Sequence, residues 1–497
     1  MWRLHRLSVV FVLLLAIAGL APSAASAASS PVGAACSPER TVVKNCSGLT
    51  EQQRKTLEAI ARDTWPFFDA DIDPPTHLPM DNIGFYGAPP QGTYTSPTNI
   101  GVYFWSVVAA QDLGIIDHAG ALQRANATLT EVEHLSKWNG FLFSWYDTTN
   151  GHRISGPGGT DQEGQPATGA FISTVDSAWY ATGLIVTRQV FPELAVRATA
   201  LLNAMNFGIF YDNGNQNKSI TAGQMYGGYY ANQGPANFHY GLLNTETRIA
   251  AYIGIGTHQM PGDVWWRTWR TLPADFTWQG QTPQGYNTTY TDPQSKKSFT
   301  VFEGHYSYGG INFVPSWGGS MFEGLMNNLV IPETTWGPKS FGLNDLRYAQ
   351  AQIAYAGQTL HYPVWGLSPS STPDDTGNYD AYGARGMASN ANCCPYDETA
   401  VTPHASFLAL TVDQQDAFTN IQTLRSNYNI YDRYGFFDAV NPTTGQVGHR
   451  YLVLDQSMIM AALDDVLLNQ QMQQHFSQDP VIAAAQPYLS MESFSIQ

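Results

Sequence analysis

Apolar residues recur every three or four positions over many stretches of the chain, and sustained alternation of apolar and polar residues is rare. A spacing of three and four places apolar residues on one face of an α-helix, whereas alternation is typical of β-strands. Ser or Thr precedes several of the periodic stretches, at the position that caps a helix. The pattern therefore predicts a mainly α-helical fold.

Twelve helix starts are predicted, and two of them are well defined. Thr50 forms a capping box with Gln53, and Pro66 is predicted to end that helix. Ser96 caps the second helix, and Gly114 occupies its C-terminal position. The other starts lie near Ala119, Thr174, Pro192, Thr245, Pro261, Gly319, Leu343, Thr402, Val412 and Leu454. Because no repeat of solenoid length is present, we expect helical hairpins in a closed arrangement, and an (α/α)6 toroid accommodates twelve helices.

The beginning of the chain has the pattern of an export signal. Arg3 and Arg6 precede an apolar stretch, and a small-residue cleavage site ends at Ala27. No later stretch has the length and apolarity of a membrane span, so we expect a secreted, monomeric protein. The predicted organisation is a signal peptide, an N-terminal extension and one catalytic domain, at 1–27, 28–48 and 49–497.

The four cysteines indicate an oxidising compartment. Of the three possible pairings, a disulfide between Cys36 and Cys46 is favoured because it closes a short loop. Cys393 and Cys394 either form a vicinal disulfide or have separate partners. Zinc binding is the weaker interpretation, since no second Cys/His cluster has ligand spacing. The thiols are predicted to be structural.

Composition narrows the function classes. Charged residues make up 13% of the chain, against about 25% in an average protein, and the net charge is −16. This balance excludes nucleic acid as a partner and favours a neutral, polyhydroxylated ligand. Long aromatic loops at 207–240, 280–317 and 361–396 are predicted to shape a cleft. The alternative is that they cover helix ends or form β-hairpins on the rim.

The sequence contains no nucleophile elbow and no phosphate-binding loop, and we expect neither a cofactor nor a metal. Carboxylates in apolar or aromatic surroundings are therefore the main candidates for catalytic residues. A carboxyl group in such surroundings is either paired or raised in pKa, and a raised carboxylic acid protonates a leaving-group oxygen. The alternative is that these acids cap helices or pair with arginine. The candidates are Asp176, Glu246, Glu323, Asp438 and Asp455.

Aromatic residues near these acids in sequence favour a sugar-binding cleft with a carboxylate pair, because rings stack on sugar faces. Glu323 and Asp455 are predicted to contact the substrate together with these rings. The aromatic candidates are Trp145, Trp179, Trp317, Trp365, Tyr382 and Phe437.

Six strings resemble the glycoamylase-like family, in the same order along the chain. They lie at 95–101, 145–148, 173–177, 318–323, 382–384 and 434–438. That family includes the endo-β-1,2-glucanases of glycoside hydrolase family 144 and a domain of cyclic β-1,2-glucan synthases. The resemblance implies an (α/α)6 toroid with a central cleft that hydrolyses β-1,2-glucan, with inversion and without a metal.

The resemblance also implies roles for individual residues. Glu246 with Arg248 matches the Glu-x-Arg string of the family's general acid, and Asp438 matches the base-side carboxylate, with Asp176 as its rival. Arg248 and Arg385 either bind sugar hydroxyls or orient the acids, and the alternative for both is an internal ion pair. The chain departs from the family at 379–385, 393–395 and 454–458. These differences leave the linkage, the chain-length preference and endo or exo action open.

Three other functions remain at this point. A polysaccharide lyase is disfavoured because its acidic substrate would meet a strongly negative protein. A transglycosylase differs only in its acceptor, which is a sugar instead of water. A non-catalytic glycan-binding protein would bind without releasing reducing ends.

Overall fold

The computed structural model describes residues 48–87, 91–215 and 219–497. The predicted signal peptide and the Cys36–Cys46 disulfide lie outside the described residues. The mainly helical prediction is confirmed. The helices are α1 (Glu51–Asp71), α2 (Pro97–Asp112), α3 (His118–His134), α4 (Thr174–Val190), α5 (Ala195–Ala204), α6 (Arg248–Gly256), α7 (Asp263–Arg267), α8 (Met321–Leu325), α9 (Glu333–Trp336), α10 (Phe341–Tyr355), α11 (Pro403–Leu410), α12 (Gln414–Asn427), α13 (Val453–Leu467), α14 (Gln471–Ser477), α15 (Pro480–Ala483) and α16 (Gln486–Met491).

The strands are short and form small antiparallel sheets between the helices. They are β1 (Asn82–Gly84), β2 (Gln91–Gly92), β3 (Tyr94–Thr95), β4 (Lys137–Trp138), β5 (Phe141–Leu142), β6 (Tyr146–Asp147), β7 (Phe171–Ser173), β8 (Met225–Tyr226), β9 (Gly228–Tyr230), β10 (Gly234–Pro235), β11 (His239–Tyr240), β12 (Gln284–Thr291), β13 (Ser298–Tyr308), β14 (Ile311–Phe313), β15 (Ser370–Ser371), β16 (Tyr379–Asp380), β17 (Tyr431–Asp432), β18 (Gly435–Phe436), β19 (Ala439–Val440), β20 (Val447–Gly448) and β21 (Arg450–Leu452). The sheet orders are β2-β1-β21, β10-β9-β7 and β12-β13-β14, with two-stranded pairs β3-β6, β4-β5, β8-β11, β15-β16, β17-β18 and β19-β20.

The helix caps agree with the sequence, with one correction. Thr50 accepts a hydrogen bond from the backbone N–H of Gln53, and the Gln53 side chain accepts one from Thr50, which completes the capping box. The prediction that Pro66 ends this helix is wrong, because α1 continues to Asp71 with Pro66 inside it. The buried rings of Phe67 and Phe68 lie just beyond this proline, and their packing outweighs the lost backbone hydrogen bond.

Six helices contact one another in sequence around the core. Contacts join α13 to α2, α2 to α4, α4 to α6, α8 to α11 and α11 to α13. Two hydrogen bonds from Arg248 to the carbonyls of Glu323 and Gly324 link α6 to α8. Each of the six also packs against at least one further helix: α3 on α2, α5 on α4, α15 on α6, α10 on α8, α12 on α11 and α1 on α13, with α14 against α2, α4 and α13 as well.

The closest helix crossing, between α2 and α4, depends on glycine. A Cβ atom at Gly101 would lie 2.2 Å from the Trp179 carbonyl oxygen, and one at Gly183 would lie 2.6 Å from the Gly101 backbone. Both distances are shorter than any tolerated contact, so only glycine permits this approach. The crossing brings Thr98 at the start of α2 next to Asp176 at the start of α4.

The segment at 280–317, predicted as a long loop, contains a β-hairpin, which is the alternative that the sequence left open. Strands β12 and β13 pair antiparallel from Gln284 with His305 to Thr291 with Ser298. In the part of the chain that the structure describes, no helix is long and apolar enough to cross a membrane.

Candidate active site

The first turns of the six mutually contacting helices carry polar side chains. Asp176, Glu323 and Asp455 occupy the third position of α4, α8 and α13. Glu246 lies two residues before α6. The same turns of α2 and α11 contribute Thr98, Asn99 and His404. Helix N-termini stabilise anions, which explains why acids gather at this position.

Glu246 is half-buried, and its Oε2 atom has no hydrogen-bond partner among the described residues. Burial, together with the nearby Glu323 carboxylate, raises the pKa of Glu246 to about 8. The backbone beside it is fixed, since Asn327 Nδ2 donates to its carbonyl at 3.3 Å and Arg248 donates to the Thr245 carbonyl at 3.0 Å. Glu246 is therefore a rigidly placed carboxylic acid that keeps its proton at neutral pH.

Glu323 was predicted to contact the substrate, but hydrogen-bond donors of the protein itself bind its carboxylate. Its carboxylate accepts hydrogen bonds from Ser316 Oγ at 2.5 Å, from the Gly318 N–H at 2.9 Å and from Tyr396 Oη at 3.2 Å. Burial raises the pKa of Glu323, and these hydrogen bonds oppose the shift. We correct its role to that of a buried neighbour whose charge favours the protonated form of Glu246.

Asp176 lies on the same side of the site as Glu246. Its Oδ1 atom accepts a hydrogen bond from Thr98, and its charge contributes to the raised pKa of Glu246, after burial and Glu323. Burial also raises the pKa of Asp176 itself. We call Asp176, Glu246 and Glu323 the Glu246 group.

Asp438 belongs to a second cluster, built by loops and by two of the contacting helices. Asp438 Oδ2 accepts from the backbone N–H of Ser371 at 2.5 Å. Asp455 lies close enough to raise the pKa of Asp438, after burial, and burial raises the pKa of Asp455 to about 7. His404 Nδ1 is 3.0 Å from Asp455 Oδ2, and burial lowers the pKa of His404 to about 4. Burial and the close approach of the two carboxyl groups thus favour a protonated form of this pair, beside an imidazole that burial keeps neutral.

Asp81, which the sequence analysis missed, completes this second cluster. It accepts hydrogen bonds from Asn99 Nδ2 at 2.9 Å and Asn82 Nδ2 at 2.7 Å, and its charge acts on Asp455. No sequence signal marked it, because it lies in the short segment between α1 and β1. We call Asp81, Asp438, Asp455 and His404 the Asp438 group.

Three side chains of the Asp438 group are of the types that could bind a metal cation. Atoms of His404, Asp438 and Asp455 lie within 4.8 Å of one another, and all three residues are buried. Imidazole and carboxylate are ligands that zinc and manganese accept. A shared proton satisfies the two carboxylates equally well, so this cluster alone does not imply a metal.

Tyr379 and Tyr396, both missed by the sequence analysis, lie between the two groups. Tyr379 is 56% exposed, yet burial of its hydroxyl and then the charges of Asp455 and Asp438 raise its pKa far above the usual value, with Glu246 contributing too. Tyr396 is close to Glu323, Glu246 and Tyr379. Charges of both carboxylate groups thus act on Tyr379, which lies near both.

Four of the predicted sugar-stacking rings are corrected, because they are too buried to meet a ligand. Trp179 is 1% exposed and packs edge-on against Trp105, with the ring centroids 5.5 Å apart. Phe437 is 2% exposed and packs on Tyr451 at 4.6 Å. Trp365 and Tyr382 are also buried. These rings support the loops and helices of the site from behind.

Trp145 and Trp317 remain as predicted ring contacts, since both are half-buried. Trp145 packs edge-on against Tyr94, with centroids 5.6 Å apart, and Tyr94 lies beside Asp81. Trp317 directly precedes Gly318, whose N–H binds Glu323. One half-buried ring therefore lies near each carboxylate group.

Arg248 and Arg385, the two predicted arginines of the site, differ in their burial and their partners. Arg248 is 1% exposed and forms an internal ion pair with Glu333, with Nη2 2.7 Å from Oε2. Its substrate-binding role is therefore corrected to the alternative that the sequence left open, that of an internal ion pair. Arg385 is exposed, and its Nε donates to the Ala391 carbonyl at 3.1 Å. Asp455 is 2% exposed, as Asp438 is, and lies beside His404, so its predicted substrate contact stays a prediction.

Comparisons with known proteins identify a matching family model, a similar sequence and similar folds. The family model described as "Putative glucoamylase" matches residues 239–480, a segment that contains Glu246, Glu323, Asp438 and Asp455. The resemblance to the glycoamylase-like family is confirmed. The cyclic β-(1,2)-glucan synthase NdvB of Rhizobium meliloti is 24% identical over 632 aligned positions, which cover 98% of this chain. The chain spans about one fifth of the length of NdvB, at 20%.

Solved structures of the same fold include two endo-β-1,2-glucanases. The enzyme from Chitinophaga pinensis, solved with sophorotriose and glucose, has a TM-score of 0.67 at 16% identity, over 90% of this chain and 99% of that one. The enzyme from Talaromyces funiculosus, solved with sophorose, has a TM-score of 0.64 at 10% identity, over 89% of this chain and 92% of that one. At these identities the likeness establishes that the chain shares the fold of these enzymes.

Proposed function

We propose that this protein is a glycoside hydrolase that cleaves β-1,2-glucan by acid and base catalysis with inversion. The observation that carries the proposal is Glu246, a half-buried acid with an unpartnered oxygen, near Tyr379, on which the charges of both carboxylate groups act. The endo-β-1,2-glucanases that share the fold support the choice of substrate.

The scaffold that we propose is an (α/α)6 toroid. Helices α2, α4, α6, α8, α11 and α13 form its inner layer, and α3, α5, α15, α10, α12 and α1 form its outer layer. In this arrangement the first turns of the inner helices face one cleft, which explains why the candidate acids cluster there.

Glu246 is the general acid of the proposed reaction. Its proton passes to the glycosidic oxygen as the bond to the leaving glucosyl unit breaks, while positive charge develops at the anomeric carbon. Burial and the Glu323 charge keep Glu246 protonated until that step. The carboxylates of both groups stabilise the developing charge electrostatically.

Asp438 is the proposed base-side carboxylate, in preference to Asp176. An inverting enzyme holds acid and base on opposite faces of the sugar, with room for a water molecule. Asp176 acts directly on Glu246 and therefore lies on the acid's side. Asp438 lies in the other group, where burial and the neighbouring Asp455 raise its pKa, so its carboxylate form is a stronger base towards the attacking water.

Incubation of residues 28–497 with linear β-1,2-glucan and a panel of other neutral β-glucans and arabinans tests the substrate class, with products resolved by size. Short β-1,2-linked oligosaccharides are expected from the wild type and not from Glu246→Gln. Products from another glycan alone would show that the substrate class is wrong. No product from any glycan, with tight binding retained, would indicate a glycan-binding protein.

A transglycosylase is the second candidate, and the similarity to NdvB favours it. In that reaction a sugar hydroxyl replaces water as the acceptor, so glucan chains change length while the number of reducing ends stays constant. A count of reducing ends during the same incubation separates the two activities.

We also propose that the chain is exported and works outside the cytoplasm as one catalytic domain, residues 49–497, preceded by a cleaved signal peptide at 1–27 and an extension at 28–48. The supporting observation is the basic, apolar and small-residue pattern that ends at Ala27. Mass spectrometry of the N-terminus of secreted protein tests this.

A further inference from the structure

Cys393 and Cys394, which play no part in the proposed reaction, form a vicinal disulfide on the surface. The backbone N–H groups of both residues donate to the Asn390 carbonyl, at 3.0 and 3.1 Å, and the Asn390 side chain donates to the Cys394 carbonyl at 2.9 Å. These bonds hold the disulfide in a tight turn that presents its sulfur atoms outward.

Two tryptophans flank this turn. The N–H of Asn390 donates to the Trp317 carbonyl at 3.0 Å, and the N–H of Asn392 donates to the Trp278 carbonyl at 2.7 Å. The two indole rings meet edge-on, with centroids 6.2 Å apart and an interplanar angle of 89°. Trp278 is 47% exposed, so its ring is open to a ligand from solvent.

This surface is continuous with the candidate active site at both ends of the turn. Trp317 is followed by Gly318, whose N–H donates to Glu323. Tyr396, two residues after Cys394, donates to the same carboxylate. A Cβ atom at Gly318 would lie 2.0 Å from the Tyr396 ring, so the ring packs directly on this backbone.

We propose that Trp278, Trp317 and the Cys393–Cys394 disulfide form an outer subsite that binds one glucosyl residue of a neutral β-glucan. Indole rings and a disulfide offer an uncharged, polarisable surface that matches the C–H face of a pyranose ring. An anionic ligand would gain nothing from this surface. The proposal rests on the proposed function for its ligand class.

Binding measurements in the inactive Glu246→Gln protein test the subsite. Isothermal titration with long linear β-1,2-glucan, and with the other neutral glucans of the panel, compares this protein with the same protein carrying Trp278→Ala. We expect about tenfold weaker binding of long glucan, which corresponds to the loss of one aromatic contact. The shortest oligosaccharides that bind at Glu246 are expected to keep their affinity.

Two further variants make the result specific. The double change Cys393→Ser with Cys394→Ser is expected to weaken long-glucan binding in the same way, with the melting temperature measured to exclude misfolding. Tyr286→Ala is the matched control, because Tyr286 is 53% exposed on a separate strand and is expected to have no effect.

The outcomes separate the subsite from the function. Unchanged long-glucan affinity in Trp278→Ala, or a loss equal to that of Tyr286→Ala, overturns the subsite while the hydrolase stands. Weakened binding in a protein whose wild type cleaves nothing supports the subsite and overturns the hydrolase. No binding of any neutral glucan overturns the subsite.

Discussion

Replacement of Glu246 by glutamine removes one proton and changes little else, so it isolates the acid step. With a pKa of about 8, Glu246 is about 90% protonated at pH 7, against about 0.3% at the ordinary value of 4.5. The site therefore raises the population of the acid form by about 300-fold. General acid catalysis contributes about 10²- to 10⁴-fold to a rate, so we expect Glu246→Gln to lose turnover by that factor, or about 3–5 kcal/mol in the barrier.

Stability measurements separate this role from a structural one. The pKa of Glu246 is higher in the folded state than in the unfolded chain, so the folded state holds the proton more tightly. The stabilisation that comes from this tighter proton binding is fully present below pH 4.5, the pKa of the residue in the unfolded chain. It is lost as the pH rises through about 8, the pKa in the folded state. Glutamine cannot ionise, and we therefore expect Glu246→Gln to melt no lower than the wild type at pH 9.

Kinetics and calorimetry on the same two proteins provide the assay. Wild-type kcat/KM is expected to fall above about pH 8, as Glu246 loses its proton. Residual activity of Glu246→Gln is expected to lack that limb. A loss of only a few-fold in turnover, or a loss accompanied by a large drop in melting temperature, would refute the assignment of Glu246 as the acid.

Three other predictions concern corrected or newly identified roles. Asp455→Asn removes a negative charge that raises the pKa of Asp438, so the acid limb of kcat/KM should move to lower pH; an unchanged limb would contradict this coupling. Arg248→Ala leaves the buried Glu333 unpaired and should cost about 3–5 kcal/mol of stability by denaturant titration, and the double variant Arg248→Met/Glu333→Leu should recover much of it. Trp179→Ala should cost about 3–5 kcal/mol and leave KM unchanged, whereas a sugar-stacking ring would show the reverse.

The helices were predictable from the sequence because their signals are local. Caps such as Ser96 and glycines such as Gly114 act within a few residues, and the structure begins and ends α2 where they indicate. Pro66 shows the limit of such signals, because the buried rings that carry α1 past it pack against distant parts of the chain. Short helices such as α9 have too few turns to show a periodic pattern of apolar residues in the sequence.

The site was predictable only in part, and for related reasons. Glu246 stood in a string that resembles a known family, whereas Asp81 lies in a short loop and Tyr379 in a two-residue strand, segments too short to show periodicity. His404 meets Asp455 across 51 positions of sequence, and no local pattern marks such a pair. The core ring of Trp179 and the half-buried ring of Trp317 look alike in sequence, because only the assembled helices decide which ring faces the core.

Real-time proton NMR of linear β-1,2-glucan during incubation with the wild-type protein tests the central claim most directly, because one experiment reports both cleavage and stereochemistry. The account predicts that new reducing-end signals appear first as the α-anomer and then equilibrate, as inversion at a β-linkage requires. A constant number of reducing ends would contradict hydrolysis, and an initial β-anomer would contradict the opposed roles of Glu246 and Asp438.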